Sequence, residues 1–165
     1  MATGIEAFAE ASRPGCIFCE ILAGRSEGSF VYRDDNVAAF MTLGAVNRGH
    51  VLVVPTRHAT YLSDLDPEVG AEMFRFAMRA AEAIRASTLR CEGINLFLAD
   101  GRAALQSVFH THLHVFPRFR GDGFGLVMPP DFRYRRPRDE LDEAAAEIRR
   151  ALDATSVSPS RSIEP

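Results

Sequence analysis

His110-Thr111-His112-Leu113-His114 places an imidazole at every second position of a segment, Val108 to Phe119, whose alternating pattern predicts a β-strand. Successive side chains in a strand point to opposite faces, so the three rings are expected on one exposed line, about 6.5–7 Å apart along the strand. Thr111, Leu113 and Val115 are then expected to face a core. The chain has five histidines, and three of them share this line. Imidazoles titrate near neutral pH and serve as nucleophiles, acids or ligands, so three in strand register point to chemistry rather than to packing.

The surrounding chain bounds what that chemistry can be. At 165 residues, 47% hydrophobic and 25% charged, it suits one globular domain with a real core. A formal charge of -3 argues against broad attraction to nucleic acid or to an anionic membrane, and the basic cluster Arg133 to Arg138 reads as solvated surface. All nineteen basic residues are arginine. Without lysine, Schiff-base chemistry and lysine-dependent phosphate loops are excluded. No segment has the pattern of a secretory signal or a membrane span. Cys16-x-x-Cys19 looks like metal or thiol chemistry in a reducing compartment, with Cys91 a packed free thiol. The expected location is cytoplasmic.

Working outward, Cys16 to Ala23 reads as a short helical turn closed by Gly24. Phe30 to Arg33 and Val37 to Met41 read as a hairpin turning at Asp34-Asp35-Asn36, and His50 to Val54 as a third strand stopped by Pro55. Asp66-Pro67 is a helix start, and Met73, Phe76, Ala77, Ala80 and Ile84 carry one long amphipathic helix to about Leu89. Ile94 to Leu98 is the next strand. Leu141, Ala145, Ile148 and Leu152 mark a last helix. The expected organisation is a flexible N-terminus over 1–14, one domain over 15–154 and a disordered tail over 155–165.

A neutral imidazole can attack phosphorus and form a covalent intermediate, and His112, flanked on both sides, is the natural nucleophile. His114, Gln106 and Ser107 are placed to donate to the charge that grows on phosphate oxygens. The competing chemistry is a His-x-His metal centre of a metallohydrolase. That centre usually recruits carboxylates, and none lies between Leu105 and Phe119.

The segment Gln106 to Arg118 resembles the signature of the histidine triad (HIT) superfamily of nucleotide hydrolases and transferases. Cys16-Ile17-Phe18-Cys19-Glu20-Ile21, Tyr32-Arg33-Asp34-Asp35, Gly49 to Pro55 and Gly121-Asp122-Gly123-Phe124-Gly125 are similar to bacterial members, so the resemblance runs from about Cys16 to Leu152. It implies an α+β fold: a five-stranded antiparallel sheet, one long helix and a C-terminal helix, paired as a homodimer through the long helices and a strand from each subunit. It implies His112 as nucleophile, His114 as the residue that polarises phosphate, His110 as their support, and Gln106 and Ser107 on phosphate oxygens. Phe18, Ile21, Phe40 and Leu43 match base-pocket positions and His50 the pocket wall.

The Cys16 and Cys19 spacing lets two thiolates grip one tetrahedral zinc. Family members with this pair resemble a structural Zn2+ site completed by His58 and His110, one that stabilises the fold without activating water. Three positions depart from the family pattern. Thr42 stands where an acid or amide holds ribose hydroxyls, Ala99 where an amide reaches phosphates, and Leu105 where glycine precedes the glutamine. Together they predict weak binding of an ordinary adenine nucleotide, or a pocket altered for another substrate. Two readings follow. One is a hydrolase or transferase of nucleoside 5'-phosphoramidates or dinucleoside polyphosphates that releases a nucleoside monophosphate. The other is a nucleotide-binding protein of the same fold with altered or little activity.

Overall fold

The computed structural model describes residues 12–156, so the expectations for most of the N-terminal segment and of the tail lie outside the described residues. Contacts divide the chain into two compact units, the first ending at Phe124 and the second beginning at Gly125.

The first unit opens with helix α1 (Ile17–Leu22) and the hairpin of β1 (Phe30–Arg33) and β2 (Val37–Met41). The hairpin turns as expected, because the Asp34 carboxylate accepts the backbone N–H groups of Asn36 and Val37 at 2.9 and 2.7 Å. Strand β3 (Val51–Pro55) leads to helix α2 (Pro67–Ala86). Asp66 caps α2 by accepting from Glu68 N–H at 2.8 Å. The helix ends three residues before the expected Leu89, where Ser87 turns extended and its hydroxyl donates to the Ile84 carbonyl. Strands β4 (Gly93–Leu98) and β5 (Leu113–Arg118) complete an antiparallel sheet in the order β1-β2-β3-β5-β4.

Alternation along the strands gives the sheet two buried faces. Met73, Phe76, Ala77, Ala80 and Ile84 of α2 pack on Val37, Ala39, Val51, Val53, Leu113 and Val115, each large apolar side chain contributing about 1.5–3 kcal/mol on burial. On the other face, Phe18, Cys19 and Leu22 of α1 pack on Ala38, Phe40, Leu52 and Val54. Register pairs Phe30 with Phe40, Phe40 with Leu52, Leu52 with His114 and His114 with Phe97. Cross-strand partners share a face, so His114 lies in an apolar row on the α1 side.

Two expectations are corrected here. The histidine segment enters the sheet at Leu113 rather than at Val108, and the rings of His110 and His112 are 0% and 3% exposed rather than lined up in solvent. The ladder starts late for a physical reason. Pro55, at the end of β3, has no N–H, and its carbonyl is taken by the His110 ring, while the His110 carbonyl is taken by the His112 ring.

The second unit carries helix α3 (Arg138–Ser156), on which Leu141, Ala145, Ile148 and Leu152 share one face. Within it Arg136 pairs with Asp131 at 2.8 Å, in keeping with a solvated basic cluster. No helix among the described residues is long and apolar enough to cross a membrane.

Candidate functional site

The rings of His112 and His114 sit 4.8 Å apart, edge to face, with Phe18 of α1 against His112 at 5.3 Å and against His110 at 5.8 Å. Their protons can be assigned from partners that offer only one role. His112 Nδ1 lies 2.7 Å from the His110 carbonyl oxygen, which only accepts, so Nδ1 carries the hydrogen and Nε2 presents a lone pair. His50 Nδ1 receives the Val46 backbone N–H at 3.1 Å, so His50 Nε2 is protonated. It donates to His114 Nδ1 at 2.9 Å, and the His114 proton is therefore on Nε2. Neither His112 Nε2 nor His114 Nε2 has a hydrogen-bond partner among the described residues. A free lone pair and a free N–H donor thus stand side by side.

Burial favours the neutral rings. It lowers the His112 pKa against the opposing pull of the His110 carbonyl, and it lowers His50 and His114 to about 4. At neutral pH all three are uncharged imidazoles, as a nucleophile and a hydrogen-bond relay require.

His110 points away from this pair, into a second cluster. The ligand atoms of Cys16, Cys19, His58 and His110 all lie within 4.8 Å of one another. His110 Nε2 donates to the Pro55 carbonyl at 2.9 Å, which leaves Nδ1 bare, 3.5 Å from Cys16 Sγ and 3.7 Å from Cys19 Sγ. His58 Nδ1 is 3.4 Å from Cys19 Sγ, with its Nε2 on the Thr60 hydroxyl at 3.2 Å. Two soft sulfurs, two imidazole lone pairs and outer partners that orient the rings fit a tetrahedral metal ion. Burial pushes the Cys19 thiol up to about 11, so a cation bound here must displace its proton.

The remaining expected site residues divide. Phe18, Ile21, Phe40, Thr42 and Leu43 line one cavity of about 310 Å³, largely apolar and sized for a flat ring system. Phe40 is 1% exposed and Leu43 fully exposed, so the first forms the floor and the second the rim. His50 is absent from that lining and lies on His114 instead. Gln106 is buried, its carbonyl oxygen accepting Gly101 N–H at 2.7 Å and its amide donating to Thr60 and Val108 carbonyls. Its side chain ties a loop together in this conformation. Ser107 is exposed beside a separate cleft with Arg13 and Val108. Ala99 is buried and offers no polar group. Leu105, 80% exposed, has φ of +72°, a left-handed conformation that suits glycine.

The main-chain groups that set the protons were invisible in the sequence: Val46 N–H and the carbonyls of Pro55 and His110. Backbone donors leave no residue-type signal.

Comparison with known proteins places this geometry in a class. The chain belongs to the HIT domain family, whose model matches residues 23–121. A HIT family protein from Bacillus anthracis superposes with a TM-score of 0.76 at 35% identity, over 89% of this chain and 100% of its own. A zinc-bound histidine triad family protein from Mycobacterium smegmatis superposes with a TM-score of 0.65 at 37% identity, over 83% of this chain and 97% of its own. Adenylylsulfatase HINT3 from Arabidopsis thaliana is 34% identical over 65% of this chain and 54% of its own length.

Proposed function

We propose that the protein is a nucleotidyl hydrolase or transferase that acts on a nucleoside 5'-phosphoramidate or a dinucleoside polyphosphate. His112 Nε2 attacks the phosphorus next to the nucleoside, an N–P bond forms as the P–N or P–O bond to the leaving group breaks, and the leaving group takes up a proton from solvent as it departs. His114 Nε2–H stabilises the charge on the phosphoryl oxygens. Water then attacks the same phosphorus, the N–P bond breaks, the water proton passes to His112 Nε2 and on to solvent, which restores the lone pair, and a nucleoside monophosphate is released. The observation that carries this reading is the His112 Nδ1 bond to the His110 carbonyl, which leaves Nε2 bare beside a donor. The cavity bounded by Phe18, Phe40 and Thr42 is suited to the base and ribose, and a relative named adenylylsulfatase supports an adenylyl type of substrate.

Cys16, Cys19, His58 and His110 would hold a Zn2+ ion, and the zinc-bound relative supports that choice of metal. With four protein ligands its contribution would be to cross-link α1, the segment after β3 and the histidine segment. Free thiols at Cys16 and Cys19 favour a reducing compartment, the cytoplasm. A homodimer is supported by β4, which lies at a sheet edge and exposes Leu96 and Phe97, and by the exposed Phe74 and Met78 of α2.

The second reading, a nucleotide binder with little turnover, is favoured by Ala99, which has no group for phosphate, and by the engaged amide of Gln106. One experiment separates the two. Purified wild-type and His112→Gly proteins are given labelled adenosine and guanosine phosphoramidates and dinucleoside polyphosphates. Turnover by wild type, with a covalent nucleotidyl adduct that His112→Gly does not form, is the expected result. Calorimetric binding of monophosphates without turnover of any substrate selects the binder, and equal turnover by both proteins removes His112 from its role.

A further inference from the structure

A hydrogen bond between two neutral imidazoles has two solutions, since either ring can supply the proton. If His50 donates, His114 keeps its hydrogen on Nε2 and can donate to a phosphate oxygen. If His114 donates through Nδ1, its Nε2 is a bare lone pair that repels the same oxygen. The choice is made by the Val46 N–H, 3.1 Å from His50 Nδ1, because a hydrogen on that nitrogen would face another hydrogen.

The position of Val46 N–H depends on the turn over residues 46–50, and that turn is held from outside the site. The Asn47 carbonyl accepts His50 N–H at 3.1 Å. The two hydrogens of the Asn47 side-chain amide go to the Pro117 carbonyl at the end of β5 and to Asp122, both at 2.9 Å. Gly49 has φ of +99°, a conformation that suits glycine, and a Cβ there would come within 2.7 Å of Leu89 Cδ1 while resting against the Pro117 ring at an ordinary 3.5 Å. Asp122, its side chain 3% exposed, is saturated with donors. It takes two bonds from Arg118 at 2.5 and 2.9 Å, one from Asn47 and the N–H groups of Phe119 and Phe124. Arg118 holds this carboxyl well below the usual carboxylate range. Ring contacts continue the path, with Phe124 on Phe116 at 5.3 Å and Phe116 on His50 at 4.7 Å.

We infer that Asn47 and Asp122 are positioning residues for His114: by pinning the 46–50 turn to the end of β5 they keep Val46 N–H on His50, which fixes the His114 proton on Nε2. The role of that proton rests on the proposed attack at phosphorus, whereas its location does not. Gly121-Asp122-Gly123-Phe124, a segment with no part in the chemistry, thereby acquires one.

The test is the tautomer of each histidine in the full-length protein, labelled with 15N and read by long-range 1H–15N correlation at neutral pH. In wild type, His50 and His114 are expected as Nε2–H and His112 as Nδ1–H. In Asn47→Ala and Asp122→Ala, His114 is expected to average between both forms while His112 stays Nδ1–H. With a turned-over substrate kcat is then expected to fall about tenfold at unchanged KM, as for other outer partners that orient an imidazole. A wild-type His114 that is Nδ1–H or averaged overturns the inference even if neither variant folds. A folded Asn47→Ala protein that retains Nε2–H on His114 overturns it as well. Tautomers as described in a protein with no turnover would sink the proposed function and leave this assignment standing.

Discussion

His58 Nδ1 and Cys19 Sγ meet at 3.4 Å across 39 positions of sequence, joining the segment after β3 to the first helix. Helix α1 is anchored by apolar burial through Phe18 and Leu22, whereas His58 is only half-buried, so apolar packing does little to hold the His58 end of the contact. A cation shared with Cys16 and His110 would add energy to the contact. Metal held at a hundred to a thousand times its Kd contributes about 3–4 kcal/mol. Removal with a chelator is therefore expected to lower Tm by about 10 °C, at about 2–4 °C per kcal/mol for a chain of this size. Calorimetry with metal analysis checks this, and an unchanged Tm on metal loss would contradict it.

Acid is expected to destabilise the fold over a defined window. Burial lowers His50 and His114 from 6.5 to about 4, so the unfolded chain takes up protons there before the folded one does. Their contribution is whole above pH 6.5 and is lost as pH falls from 6.5 towards 4. Each proton adds a slope of about 1.4 kcal/mol per pH unit within that window. Urea unfolding measured from pH 7.5 to 4 should show the slope, and His50→Gln should flatten it by about one proton.

Leu105 holds a φ of +72° with its side chain in solvent. The left-handed conformation costs a residue with a Cβ about 1–2 kcal/mol, of which glycine's greater freedom in the unfolded chain cancels about 0.5–1. Leu105→Gly is expected to gain roughly 0.5–1 kcal/mol in denaturant melts. A loss of stability would mean that the leucine side chain makes a contact that outweighs its strain.

Leu96 on β4 and Met78 on α2 are both exposed in the single chain. Light scattering is expected to give twice the chain mass for wild type and the single mass for Leu96→Arg combined with Met78→Glu. A monomeric wild type would remove the dimer reading.

Much of this was legible where a residue type has one structural use. Asp34 and Asn36 mark a turn, Asp66-Pro67 marks a helix start, and both stand where expected. The spacing of Cys16 and Cys19 gave half of a candidate metal site, and the family resemblance supplied His58 and His110. The burial of His110 and His112 was not legible, because period-two alternation says which side a ring takes and not that α1 will cover that side. The loop contacts of Gln106 were not legible either. An amide serves a loop as readily as a ligand, and its bonds to Gly101 and Thr60 depend on backbone positions that residue type does not announce.

His110 offers its ring to the sulfur cluster and its main-chain oxygen to His112. Every amino acid retains that oxygen, so the two tasks are genetically separable although one residue performs both. Variation at position 110 would strip away the candidate ligand first and disturb the proposed nucleophile only where the chain itself shifts, giving access to proteins that have lost the clasp and kept the bare nitrogen of His112.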